Sequence, residues 1–229
     1  MTGPLVLALE GATYAGSVAL IRGADVVAEV TLEDVDGGMP QAGRGEQLLP
    51  AVRECIKRAD VSASEIKRII CGSGPGRFTS LRVAGAVAKG LATGYGVDLH
   101  AVSSLLLTVS SANPALEAGE YLSVLDAMRG DWFVMQVAVS ADGTIDQRGN
   151  TRLVSAGELA RLSSANPNLR AIGPGQSIEG APHARGVAPL IARIEAEGPV
   201  DLASWEPDYG RLPEAQVRRE AALDQAIAK

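Results

Sequence analysis

The sequence predicts an α/β fold assembled from two copies of one βββαβα unit. Three observations carry that reading. Short β-rich runs separated by turn residues open each half of the chain. A Ser-x-x-Glu stretch follows in both halves, Ser62-Ala63-Ser64-Glu65 and Ser155-Ala156-Gly157-Glu158. A Gly-Pro-Gly triplet then closes the fourth strand each time, Gly74-Pro75-Gly76 and Gly173-Pro174-Gly175.

Residues 5–9, 17–21 and 25–32 read as strands, and turn residues at 11–16 and 22–24 join them into an antiparallel meander. Residues 33–45 form a polar, glycine-containing loop with Pro40. Leu48, Leu49, Val52, Ile56 and Ala59 then recur at helical spacing, and Pro50, tolerated only in a first turn, sets the helix start near Gln47. Ser62 and Glu65 have the form of a capping box before a short helical turn. A strand at 68–71, a long helix at 79–93, a strand at 99–102 and a helix at 103–111 complete the first half. The second half reads as strands at 121–126, 132–139 and 144–154, a helix opened by Ser155 and running to about Ser163, a strand at 170–172 and a helix at 187–196. Duplicated βββαβα halves are the organisation of the actin, hexokinase and Hsp70 ATPase fold, the actin-like (ASKHA) class. It divides the chain into subdomains at 1–111 and 112–212, with a helical tail at 213–229.

Composition narrows the function classes. A chain of 229 residues that is 46% hydrophobic and 21% charged is folded, not disordered. It holds 36 alanines and 26 glycines but only eight Phe, Trp and Tyr. Alanine buries little area, so stability must come from close backbone approach or from a partner. The net charge is −6 with no long basic stripe, which makes a poor phosphate-backbone binder on its own. Two cysteines, Cys55 and Cys71, are too few for a disulfide framework and read as buried free thiols. Residues 1–10 read as a strand and not a signal peptide, and no apolar run approaches the roughly 18 residues of a membrane span. A cytoplasmic protein without membrane contact is the expectation.

Candidate chemistry is sparse. Gly74, Gly76, Arg77 and Thr79 have the makings of an anion or nucleotide loop: glycines admit close approach, a helix N-terminus favours negative charge, and Arg77 offers a guanidinium. The same residues equally make a tight strand-to-helix connection with Thr79 as N-cap, and the Lys-Ser/Thr ending of a P-loop is missing. His100 and His183 are the only histidines, 83 positions apart, so no metal site is expected. Around Ser73, Cys71 stands where a Gly-x-Ser-x-Gly elbow needs its first glycine, which argues against a hydrolase. Glu10, Asp126 and Asp131 could line a cleft between the halves; Asp126 could equally cap a turn or pair with Arg129. Residues 84–96 are eight-thirteenths Ala and Gly, with Leu81, Ala84, Ala88 and Leu91 on one face. Side chains that small let helices approach closely, either within the core or against a partner.

The segment Gly72-Ser73-Gly74-Pro75-Gly76-Arg77-Phe78-Thr79-Ser80-Leu81-Arg82-Val83, running on through Ala88-Lys89-Gly90-Leu91-Ala92, is more specific than any generic glycine loop. It resembles the GPGSFTGLR…AKGLA signature of the bacterial TsaB (YeaZ) family. Leu48-Leu49-Pro50, Asp126-Ala127-Met128-Arg129-Gly130 and Pro207-Asp208-Tyr209-Gly210-Arg211 support the resemblance at the expected intervals. The chain departs from the family at Glu10-Gly11-Ala12-Thr13, where an Asp-Thr usually ends the first strand, at Arg77 and Ser80, and at Gly43-Arg44-Gly45-Glu46.

The resemblance implies a non-catalytic scaffold subunit for making threonylcarbamoyladenosine on tRNA, with no cofactor and a degenerate cleft of its own. Its partners would be a larger paralogous catalytic subunit (TsaD-like), which holds the metal and the threonylcarbamoyl-adenylate, and an ATPase (TsaE-like). It would be a homodimer when alone and meet tRNA only through the complex. In that family the first two long helices form the surface used for self-association and for the catalytic partner. Carried over, the interface residues are Leu49, Val52, Arg53 and Ile56 on the first helix and Arg82, Gly85, Ala86 and Lys89 on the second. Two alternatives remain at this stage: a small-molecule kinase or ATPase of the same fold, and a stand-alone homodimeric interaction module.

Overall fold

A computed structural model of the chain describes residues 3–32 and 47–211. The polar loop, the Gly43–Glu46 departure and the tail helix of the sequence reading lie outside the described residues.

The meander forms as β1 (Leu5–Glu10), β2 (Ser17–Arg22) and β3 (Asp25–Thr31), antiparallel throughout. β4 (Ile66–Gly72) lies parallel to β1 on its other side, and β5 (Asp98–Val102) parallel to β4, giving the order β3-β2-β1-β4-β5. Helix α1 (Leu48–Ala59) packs on β2 and β3, and α2 (Phe78–Tyr95) on β4. A seven-residue helix α3 (Ser104–Ser110) leads into the second sheet. There β6 (Gly119–Asp126) pairs antiparallel with β7 (Asp131–Val139) and parallel with β10 (Leu169–Ile172). β8 (Ile145–Gln147) and β9 (Arg152–Ser155) both pair with β7, followed by α4 (Ala156–Ala165), and α5 (Ile191–Glu197) ends the regular elements. Among the described residues the second sheet therefore repeats the first without a counterpart of β5. No described helix is long and apolar enough to cross a membrane.

Four local expectations need correction. The strand expected over 144–154 is two strands, because Gly149 at φ +145° breaks the extended run. The helix expected over 187–196 is a 3-10 segment, Ala184–Leu190, followed by α5; Pro189 removes an N–H and restricts its neighbour. Arg77, not Thr79, is the N-cap of α2, so Thr79 sits within the first turn. Finally, α1 buries Leu48, Ala51, Val52 and Cys55, while Leu49 is 48% exposed. The helix is rotated so that Cys55, whose Sγ donates to the Ala28 carbonyl at 3.4 Å, takes the inward place.

The Ser62 capping box forms as expected, with both reciprocal bonds present. At Ser155 only the hydroxyl takes its part, accepting from the Glu158 N–H at 3.3 Å, while the Glu158 carboxylate pairs with Arg152.

The strand β1 is buried on both faces, and its alternation divides the core. Leu5, Leu7 and Leu9 join Val52, Cys55, Ala84, Ala88 and Ala92 beneath the two long helices. Val6 and Ala8 face the other way, into a cluster shared with Leu105, Tyr121, Phe133, Ile172 and Val187. That second cluster spans both sheets, so the halves share one apolar interior. Ala84, Ala88 and Ala92, one turn apart, set α2 close against the sheet.

Candidate functional site

The Gly74–Thr79 loop is where four segments of the chain meet. The Gly74 N–H donates to Ser104 Oγ at 3.1 Å, and the Gly74 carbonyl accepts from the Ser104 N–H at 2.8 Å. The Arg77 N–H donates to the Ala12 carbonyl at 2.9 Å, and the Asp208 N–H to the Ser73 carbonyl at 2.7 Å. A Cβ on Gly74 would stand 2.2 Å from the Asp208 carbonyl oxygen, and one on Gly76 2.4 Å from that of Ala12. The Arg77 guanidinium lies on the Tyr14 ring, 3.5 Å from its centroid. These glycines admit the chain's own backbone, and the loop N–H groups of Gly74 and Arg77 are taken by internal acceptors. As an anion site the loop is thus already crowded by the protein itself.

Glu10 does not line a cleft. Its side chain is wholly buried at the end of β1, where Oε1 accepts from the Ala12 N–H and Oε2 from the Ser104 hydroxyl at 3.0 Å. The missing side chain of Gly72 makes the room, since a Cβ there would stand 1.9 Å from Oε2. Burial pushes this carboxyl up to about 7 against the pull of its hydrogen bonds. Asp126, at the matching end of β6, is exposed and caps its own turn by accepting from the Met128 N–H at 2.7 Å. Asp131 pairs with Arg211. The structure does not bring the three carboxylates into one site, and among the described residues no group of three His, Cys, Asp or Glu could hold a metal. Cys55 and Cys71 are both free and buried, as expected.

The open feature lies elsewhere. Between α1 and α2 runs a groove of about 900 Å³, walled by Leu49, Arg53, Ile56 and Lys57 on one side and Leu91 and Tyr95 on the other. Leu49 and Tyr95 are 48% and 37% exposed. Gly90 and Gly94 add bare backbone on the outer side of α2, with nothing within 4 Å of a Cβ at either position. An exposed apolar furrow with a basic rim is a surface for a macromolecule more than for a small ligand.

The sequence profile of the family described as TsaD, tRNA N6-adenosine threonylcarbamoyltransferase, matches residues 28–179, more than half of the chain. The chain belongs to the TsaD family. Within it, the similarity runs to the TsaB (YeaZ) branch. The tRNA threonylcarbamoyladenosine biosynthesis protein TsaB of Escherichia coli is 31% identical over 126 residues, 55% of this chain and 52% of that protein. TsaB of Bacillus subtilis is 28% identical over 125 residues, covering 55% and 51%. The chain spans about half the length of the curated relatives it matches. Among solved structures, a Pseudomonas aeruginosa protein described as similar to peptidase YeaZ superposes with a TM-score of 0.76 at 25% identity, over 91% of this chain and all of that one. YeaZ from Pseudomonas aeruginosa superposes with a TM-score of 0.73 at 23% identity, over 90% and 99%. The fold is the actin-like one.

Set against this TsaB-type fold, the interface residues carried over from the family divide. Leu49 and Arg53 are exposed and Ile56 half-buried along the groove, and Val52, only 2% exposed, also lines it while packing into the core beneath. On α2, Arg82 and Ala86 are exposed, Gly85 is buried beneath Pro207, and Lys89 donates to the Trp205 carbonyl at 2.7 Å. Sequence reasoning missed Leu91 and Tyr95 as groove walls. It also missed Trp205 and Pro207 as a cover over α2. Leu91 had the helical spacing to be found; main-chain contacts from an irregular segment leave no such signal.

Proposed function

We propose that this chain is an accessory, non-catalytic subunit in the threonylcarbamoylation of adenosine in tRNA. It binds a larger paralogous catalytic subunit through the α1–α2 surface and activates it, with an ATPase as third component and tRNA met only through the assembly. The observation that carries the reading is the pairing of a crowded loop with an open groove. Where the fold would offer a nucleotide its glycine loop, Ala12 and Asp208 already occupy the space. Where a helix of a partner could lie, Leu49, Tyr95 and the bare backbone of Gly90 are uncovered. The names of the TsaB relatives supply the pathway, and that pathway fits a cytoplasmic setting. Alone, the same surface pairs two copies of the chain.

Reconstitution tests this. Mixed with the catalytic subunit, the ATPase and threonylcarbamoyl-adenylate, the chain restores modification of tRNA, and without them it turns nothing over. Gly90→Arg and Leu49→Asp abolish copurification with the catalytic subunit while leaving the melting temperature near that of the parent. Turnover by the isolated chain, or full binding by both variants, overturns the proposal.

A further inference from the structure

The groove leaves one sequence motif unused, Pro207-Asp208-Tyr209-Gly210-Arg211, and one helix face unexplained, that of Arg82, Gly85 and Lys89. The two meet. After α5 the chain returns over the first half without regular structure. The Val200 N–H donates to the Leu99 carbonyl at 2.8 Å, on the outer edge of β5. Trp205 turns back through its N–H to the Asp201 carbonyl at 2.8 Å and receives the Lys89 ammonium on its own carbonyl. Pro207 then crosses α2 at Gly85, where a Cβ would stand 3.0 Å from the proline Cγ and 3.6 Å from the Trp205 ring. Asp208 bonds the Ser73 carbonyl, and Tyr209 sets its ring 4.6 Å from that of Phe78. Gly210, at φ +66°, threads between Phe133 and Pro75, where a Cβ would stand 2.4 Å from the Phe133 ring. Arg211 closes the run on Asp131.

Each contact is of a kind that seats an extended segment. An edge strand gives up a carbonyl, a lysine meets a main-chain oxygen in place of a carboxylate, and two glycines provide the clearance. We infer that residues 199–211 are a built-in strap that occupies the Gly85–Lys89 side of α2, so that a partner meets the covered part of this helix only from the side shared with α1. The occupant of that face is the chain itself. The motif Pro207–Arg211 is the buckle, tying α2, the Gly74 loop and β7 together. The partner clause rests on the docking reading above; the strap does not.

Hydrogen exchange on the full chain tests both parts. In the isolated protein the amides of Val200 and Asp208 exchange slowly. Gly85→Leu speeds exchange over residues 205–210 by roughly tenfold or more and leaves β1 and β4 unchanged, as for local opening of one unit. Lys89→Met does the same to a smaller degree and serves if Leu at position 85 disturbs the helix. Adding the catalytic subunit then slows exchange in α1 and leaves 199–211 unchanged. Free exchange at Val200 and Asp208 in the parent protein, or no response to either variant, overturns the strap. Faster exchange at 199–211 in the complex overturns the face assignment, because the partner would then displace the strap. If the catalytic subunit does not bind at all, the docking proposal fails and the isolated-chain measurements still decide the strap.

Discussion

The two halves of the molecule carry the same plan and use it in opposite ways. In the first, β1 ends on a wholly buried Glu10, and the Gly74-Pro75-Gly76 loop is pressed between Ala12 and Asp208 before feeding an 18-residue helix. In the second, β6 ends on an exposed Asp126, and the Gly173-Pro174-Gly175 loop leads to a lone bridge between Ile172 and Ile178 and no comparable helix. Gly173, the counterpart of Gly74, is still close-packed, with a Cβ there 2.1 Å from the Val124 carbonyl oxygen, but Gly175, the counterpart of Gly76, has nothing within 4 Å of a Cβ. A repeated triplet thus marks a place in the topology, not a function. What distinguishes the halves is how much of the chain returns to cover each loop, and only the first loop is strapped.

The largest expected effects break that contrast at the glycines. At Gly74, φ is +92° and a Cβ would meet the Asp208 carbonyl at 2.2 Å, so Gly74→Ala combines backbone strain with a collision against main chain that cannot rotate away. A loss of about 3–4 kcal/mol is expected in urea unfolding. Gly175→Ala meets only the strain of φ +70° and costs about 1 kcal/mol. Equal losses at the two sites would show that the exit of the second triplet, at Gly175, is as tightly covered as the first loop and would remove the asymmetry there.

The next effect lies at the strand ends. Glu10 is raised from 4.5 to about 7 in the folded chain. The native state therefore binds more protons than the unfolded chain between these values, and stability falls as pH rises through that window. The loss is complete above pH 7 and amounts to about 3 kcal/mol for a shift of this size. Glu10→Gln keeps an acceptor for the Ala12 N–H and removes the charge. It should stabilise the protein by roughly that amount at pH 8 and have little effect at pH 4. Asp126→Asn only weakens one exposed turn bond, about 0.5–1 kcal/mol. Thermal melts of both variants at the two pH values read this directly; a pH-independent Glu10→Gln would mean the carboxyl is not held as charged and buried.

Much of this architecture was legible in the sequence, and the failures share a cause. Strand positions followed from β-rich runs and turns, and the Ser62 box from its spacing. The rotation of α1 was misjudged because Leu48, Leu49, Val52 and Ile56 and Leu48, Ala51, Val52 and Cys55 both fit helical spacing. Hydrophobicity favours the first set, while fit against β2 and β3 selects the second. Glu10 read as a cleft residue because a charged side chain at a strand end is normally solvated. Its burial depends on Gly72 and Ser104, distant in sequence. The strap was hard to see for the same reason: its anchors at Val200 and Asp208 run from main chain to main chain, and carbonyls of Leu99 and Ser73 carry no residue signature.

The smallest effect concerns the two hairpins that follow these strand ends. In the second half, Met128 and Arg129 hold φ of +64° and +62°, and Gly130 follows at +82°, so two residues with side chains sit where glycine is at ease. The first-half turn, residues 11–16, holds no positive φ among its non-glycine residues. Met128 is 45% exposed, so its side chain contributes little packing to offset the strain. Met128→Gly should therefore stabilise the fold by up to about 1 kcal/mol, less the added freedom of the unfolded chain. A gain in melting temperature with unchanged binding to the catalytic subunit would assign the strain to the turn alone. Loss of binding with a gain in stability would mean the strained tip presents Met128 to a partner, and the second half would then hold a contact surface of its own.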